Sequence, residues 1–410
     1  MIPLGDEYDP LADDGPALLY GWFARSRREE PVFYSKALDC WIVTRHDDVH
    51  EVLTNSSAYS ATVSTAPIQP ISPEALAVLV SGGWKHKSIF STDGTEHHRF
   101  RTLIQRVFTP KRVADFEPFV AQQVEAACDR MEQADPVDVI AELCYPIPGL
   151  TILELLGFPL DYLEEMKVGA TARKKFIAGR LDAEEQVAVA HGLVDSWRFA
   201  SKLVTERVSD PRDDLMSDLL AVRNGDDTVL TLDELTSMLL TFFSAGHETS
   251  TYMMANALLH LLSDRDMWTA LCADPGLADN AAEEALRFDA PLFEWRRLTT
   301  VETTLGGVTI PAGQNVFAIL GSANRDPDLF PDPDRFDIHR AGARNHFAFG
   351  KGIHYCVGAP LARLEARITL QGLCRRFPDL RLAEDRGLDY VPNTLAHGPE
   401  ALWVTTGRRS

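Results

Sequence analysis

Positive charge is scarce in this 410-residue chain: 40 Lys and Arg stand against 60 Asp and Glu, a net charge of −20. That balance repels polyanions and argues against nucleic acid or an anionic membrane as partner. The amino terminus, MIPLGDEYDP, has neither a basic stretch nor an apolar core, so no secretory signal is legible. The carboxyl end, TTGRRS, carries no lipidation box. Cysteine is sparse as well. Cys40, Cys128, Cys144, Cys272, Cys356 and Cys374 form no CxxC pair and show no zinc-type spacing with histidine. Five of them are expected to be reduced thiols serving as small apolar residues, and a cytoplasmic protein without membrane insertion fits. Internal repeats, low-complexity tracts and a G-x-G-x-x-G dinucleotide fingerprint are missing too.

What the chain has is apolar bulk and helical periodicity. Hydrophobic residues make up 45% and charged residues 24%, the balance of a globule with a substantial core. The length allows one large domain or two ordinary ones. Apolar residues recur at helical spacing over 14–28, 97–108, 115–133, 183–208, 231–264, 277–288 and 357–376. β-rich runs lie at 32–44 and 303–320, and loops are expected at 65–75, 144–149 and 324–336. No linker divides the chain. The expectation is a single domain, 1–410, mainly α with small β-sheets and a long central helix.

That helix, 231–264, opens on Thr231 with Glu234 three residues later, a capping box, and would span about 50 Å. Between Glu234 and Asp264 its only charged or readily titrating residues are His247, Glu248 and His260. Its Ser, Thr, Asn and His content argues against a membrane span. Thr241, Ser244, Ala245, Glu248 and Thr249 share one face by spacing. The small residues Ala245 and Gly246 would let something bulky and flat lie against it. Taken alone, Thr249 could equally bond back to its own helix and Glu248 could pair locally.

Cys356 has a setting unlike the other thiols. In FAFGKGIHYCVGAPLARLEAR (347–367) it follows a glycine-rich loop and precedes a helix. Helix amino ends favour the thiolate, and the glycines permit tight turns and close approach of a large ligand. Such a thiolate suits a nucleophile, with His354 a base that spacing does not exclude, or a metal ligand. A single cysteine suffices when the metal arrives in a macrocycle, as haem does.

FGKGIHYCVG (349–358) resembles the haem-binding signature of the cytochrome P450 family, F-G-x-G-x-H-x-C-x-G, at every fixed position. Glu284-Ala-Leu-Arg287 resembles the family's E-x-x-R pair and PDRF (333–336) its P-x-R-F, so Arg335 should join Glu284 and Arg287. AGHET (245–249) is similar to the A-G-x-[DE]-T segment, and the likeness runs from about residue 30 to the end. The resemblance implies the P450 fold and haem b (Fe-protoporphyrin IX) with Cys356 as iron ligand. Ala245, Gly246, Phe349, Gly350 and Gly358 would surround it, and His97, Arg101, Arg297 and His354 would clamp its propionates.

It further implies a monooxygenase that hydroxylates, dealkylates or couples a small-molecule substrate. Glu248 and Thr249 would handle protons, and electrons would come from a ferredoxin and ferredoxin reductase, since no fused reductase is visible. A hydrogen-peroxide-dependent peroxygenase and a haem carrier or sensor are the alternatives; the acid–alcohol pair argues against the first, and the second would need neither a proton relay nor an electron donor. Family position puts residues 60–90 and 160–190, Thr241, Ser244, Phe293 and Leu395 around the substrate. RKKF (173–176) could meet an anionic substrate, although a charge run is usually a solvated face. Arg99, Arg106, Lys111, Arg112 and Lys351 are candidates for docking the electron donor.

Overall fold

The computed structural model describes residues 3–384, 386–390 and 393–407. In chain order its main helices are α1 (Gly15–Glu29), α2 (Pro73–Ser81), α3 (Gly94–Val107), α4 (Glu117–Met131), α5 (Leu163–Ala178), α6 (Ala183–Ser209), α7 (Leu232–Ser263), α8 (Ala278–Phe288) and α9 (Ala359–Arg376). Each of the seven periodic segments read from sequence is one of these, within a few residues at either end. The described residues contain no helix long and apolar enough to cross a membrane.

The chain groups into two compact units. One comprises Met1–Val63, Phe116–Pro148 and Thr249–Ser410; the other comprises Ser64–Asp115 and Gly149–Glu248. Neither is a continuous stretch, and α7 contributes residues to both.

The first unit holds the sheets. Strands β1 (Val32–Ser35), β2 (Cys40–Val43), β3 (Tyr59–Ser60), β4 (Trp295–Thr299) and β5 (Asn315–Ala318) form a five-stranded sheet in the order β1-β2-β5-β4-β3. β2 and β5 run parallel and the other pairs antiparallel. One face packs Val43, Val316 and Ala318 against Leu320 and Phe347, which fixes the start of the segment leading to Cys356. The 303–320 run divides as its turn residues dictate: Thr303–Leu305 pairs with Val308–Ile310 across Gly306 and Gly307, and β5 follows.

The second unit is helical. Ala75 and Leu79 of α2 pack on Val189, Ala190, Leu193 and Val194 of α6. α6 opens with a reciprocal capping box between Asp182 and Glu185, and α7 with the one expected between Thr231 and Glu234. Glu234 also takes both terminal nitrogens of Arg99, at 2.5 and 3.1 Å.

Two sequence readings fail locally. The loop expected at 144–149 is helical: a π turn at Ile140–Cys144 runs into a helix at Pro146–Leu156. Pro146 and Pro148 fall in the first turn, where the N–H that proline lacks has no helical acceptor anyway. The loop expected at 65–75 is cut short by α2, which Ser72 caps through Ala75 N–H with Pro73 in its first turn.

Candidate active site

The cysteine loop belongs to the first unit. Cys356 N–H donates to the Phe349 carbonyl at 2.9 Å, and Gly350 N–H to the Phe347 carbonyl at 2.7 Å. That closure requires φ of +70° at Gly350 and +68° at Gly352, a region costly to any residue with a Cβ. At Gly352 a Cβ would also lie 2.8 Å from the Leu53 carbonyl oxygen. α9 begins three residues after the thiol, with Pro in its first turn.

The donor set can be tested against haem, which asks for one accessible thiol on a closely approachable backbone. Cys356 is half-buried, whereas Cys40, Cys128, Cys144 and Cys374 are buried. Burial pushes the Cys128 thiol up to about 11, and those of Cys40 and Cys144 well above the ordinary range. Cys272, also partly exposed, lies inside the Arg265–Ala273 helix and is hydrogen-bonded to Cys374. Cys356 is the thiol that fits.

Strand alternation separates the neighbouring arginines of β4. Arg296 lies over the Phe317 ring and reaches Glu294 and Thr394 at 3.4 and 3.3 Å. Arg297 is equally buried and donates from Nη1 to the Arg296 carbonyl. His354 is half-buried in the short turn Gly352–His354. In the second unit His97 and Arg101 stand on successive turns of α3. Burial, then the Arg101 charge, lowers the His97 pKa.

Along α7, Ser244, Ala245, Gly246, Glu248 and Thr249 form a half-buried run among buried neighbours. Glu248 is not solvated: Lys174 of α5 holds it at 2.5 Å, with the two side chains 22% and 11% exposed. Next along, Ser250 is hydrogen-bonded to Glu365 of α9, a carboxyl that sequence reading missed. Its spacing after Leu361 and before Ile368 put it on the buried face of α9, which was the available signal. Burial raises the Glu365 pKa from 4.5 to about 8, against the opposing Ser250 bond.

A carboxyl whose pKa is higher folded than unfolded binds its proton more tightly in the folded state. Its contribution to stability is full below about 4.5, declines as pH rises towards about 8, and is gone above. Glu365→Gln should therefore flatten the fall in unfolding free energy between pH 5 and 8, by up to about 3–4 kcal/mol. Urea titrations of both proteins at the two pH values measure this. Equal slopes would show that the carboxyl ionises without penalty.

The expected substrate residues fare unevenly. Thr241 meets His86 at 3.0 Å, and Ser244 lines a cleft in the second unit. Leu395 is half-buried, and its carbonyl accepts from Phe293 N–H. Phe293 itself is 1% exposed and packs on Phe23 and Gly321. The RKKF run is not a solvated face: Arg173 and Lys174 are half-buried and only Lys175 is exposed. Their spacing from Met166, Ala170 and Ile177, all buried on α5, gives the reason.

Arg335 does not join the buried pair with its side chain, which is 66% exposed. Its carbonyl accepts from Arg287, and Arg340 supplies the guanidinium, 3.0 Å from Glu284. The charges assigned to donor docking are partly spent. Arg99 is taken by Glu234, Arg112 by Asp213 and Asp218, and Lys111 by Asp115; Arg106 and Lys351 are exposed.

Comparison with known proteins agrees with this geometry. A family model described as Cytochrome P450 matches residues 276–389, which include Glu284, Arg287 and Cys356. The chain is 36% identical over 407 residues to Nocardicin C N-oxygenase of Nocardia uniformis subsp. tsuyamanensis, covering 97% of each chain. It is 35% identical over 389 residues to Cytochrome P450 107B1 of Saccharopolyspora erythraea, covering 93% of each. The solved structure of cytochrome P450 CREJ in complex with (4-ethylphenyl) dihydrogen phosphate superposes with a TM-score of 0.94 at 32% identity, over 98% of this chain and 99% of that one. Likeness of this extent carries fold and class of chemistry together, and the chain belongs to the cytochrome P450 family of monooxygenases.

Proposed function

We propose that the protein oxidises a small organic substrate with dioxygen, using haem b and electrons from a ferredoxin and its reductase. The observation that supports this most is the Cys356 loop, in which one half-buried thiol is held by Gly350 and Gly352 ahead of α9. Cys356 would ligate the iron. His97 and Arg101, with Arg297 and His354, would hold the propionates by charge-assisted bonds. When bound, the haem supplies the activation of dioxygen, which a thiolate ligand favours by donating electron density.

The chain's own residues would govern protons. Lys174 holds Glu248 Oε1 at 2.5 Å and fixes its direction, so the carboxyl group could turn to another partner only as that pair loosens. Thr249 would present its hydroxyl one residue further along α7. The test is turnover under isotopically labelled dioxygen with a ferredoxin and reductase, set against hydrogen peroxide alone. Label in the product only under the first condition supports the reading; equal turnover with peroxide would favour a peroxygenase.

Thr249→Ala should keep substrate binding and reductant consumption while product per reductant falls roughly tenfold or more and released hydrogen peroxide rises to match. An unchanged ratio would give the hydroxyl a packing role only.

A further inference from the structure

A cleft in the second unit is walled by apolar side chains, among them Met166, Leu193, Leu240 and Phe243. One charged group stands in this wall: Arg173. We propose that Arg173, backed by His86, receives an anionic group on the substrate, a carboxylate or a phosphate monoester, while the apolar walls take its hydrocarbon body. The inference rests on the monooxygenase reading above and names a substrate class for it.

Charge accounting around Arg173 carries the argument. Its Nη1–H donates to His86 Nε2 at 2.5 Å. A nitrogen that accepts there carries a lone pair, so the imidazole is neutral with its proton on Nδ1. Thr241 Oγ1 lies 3.0 Å from the same nitrogen, and Trp84 stacks on the ring. None of these groups is negative. Among the described residues no carboxylate pairs with Arg173.

Its neighbours in the unit differ. Lys174, next in the chain, has Glu248, and elsewhere in the unit Arg207 has Asp214 and Arg99 has Glu234. A half-buried guanidinium without a counter-charge is unfavourable, and burial alone lowers the Arg173 pKa to about 10. A cation left unbalanced in an apolar cleft selects a ligand that brings the missing charge. The planar fork suits the two oxygens of a carboxylate or phosphate. Ser244, also in the cleft wall, is followed directly by Ala245 and Gly246, so the opposite end of such a ligand would point along α7 towards the AGHET segment.

Matched pairs test this on the holoenzyme: 4-hexylbenzoate against 4-hexylbenzamide, and 4-hexylphenyl phosphate against 4-hexylphenol. Binding is read by calorimetry and by the shift of the haem absorption band. At least one anion should bind roughly thirtyfold more tightly than its neutral partner, with the preferred pair distinguishing carboxylate from phosphate. Arg173→Gln should bring that ratio close to one, and Arg173→Lys should keep part of it. Thermal melting checks that the variants fold; should Arg173→Gln not fold, the wild-type ratio and its fall in Arg173→Lys decide. Neutral partners binding as tightly as both anions, or a ratio that survives in Arg173→Gln, would overturn the proposal. The red-shifted band of the reduced carbon monoxide complex keeps the two readings apart. Its absence sinks the monooxygenase reading, while an intact band with no preference for anions sinks this one.

Discussion

Cys356→Ser is expected to abolish the red-shifted band of the reduced carbon monoxide complex and to lower monooxygenase turnover by more than about a thousandfold, the scale on which an essential group acts. The expectation follows from the donor set. Serine keeps the volume and the loop closure, because the bond to the Phe349 carbonyl is made by the backbone N–H of residue 356. It removes the thiolate, and with it the electron donation that the reaction needs. Cys374→Ser is the control: that thiol is buried in α9 and paired with Cys272, so its loss should leave the band intact. Spectra of the two variants, with bound haem quantified, decide the matter. A Cys356→Ser protein that retains the band would refute the assignment.

A comparable loss, in stability rather than chemistry, is expected at Glu284 and Arg287. Both side chains are fully buried on α8 and joined twice, at 2.7 and 2.8 Å. Arg287 also donates to the carbonyls of Asn324, Pro333 and Arg335, while Glu284 accepts from Asp337 N–H and Arg340. Removing either partner strands a charge that water cannot reach, which costs about 3–5 kcal/mol. Arg287→Ala and Glu284→Ala should thus lower the urea midpoint sharply and reduce the yield of haem-loaded protein. Arg335→Ala, an exposed side chain, should stay within about 0.5 kcal/mol of wild type. If Arg335→Ala proved as damaging as Arg287→Ala, the network would be assembled differently.

That contrast shows where sequence reading stopped. The E-x-x-R spacing announces that Glu284 and Arg287 lie one turn apart, and periodicity announced α8 itself. Which distant arginine returns to Glu284 depends on the path of an irregular segment, and the 333–340 loop turns so that Arg340 faces inward while Arg335 contributes only its carbonyl. Local signals carry local facts: the capping box at Thr231, the glycine loop before Cys356, the amphipathic helices. Charged residues mislead because their usual place is solvent, so Arg173 and Lys174 read as surface until α5 is seen to bury that face. Glu365 was hidden for the same reason. The Pro146–Leu156 helix was hidden by prolines that a first turn tolerates.

The composition of the cleft wall bears on how such an enzyme can diversify. Met166, Ala170, Leu193 and Leu240 make no polar bonds through their side chains, and exchanges among apolar residues of similar volume usually cost less than about 1.5 kcal/mol. Descendants can therefore drift through many pocket sizes by single tolerated steps, each leaving the fold viable. Arg173 offers no such gradient, because half a charge cannot be inherited. A lineage that exchanges it moves in one step to a different clientele of substrates, so the width of the cleft is free to wander while its electrical preference is held or lost outright.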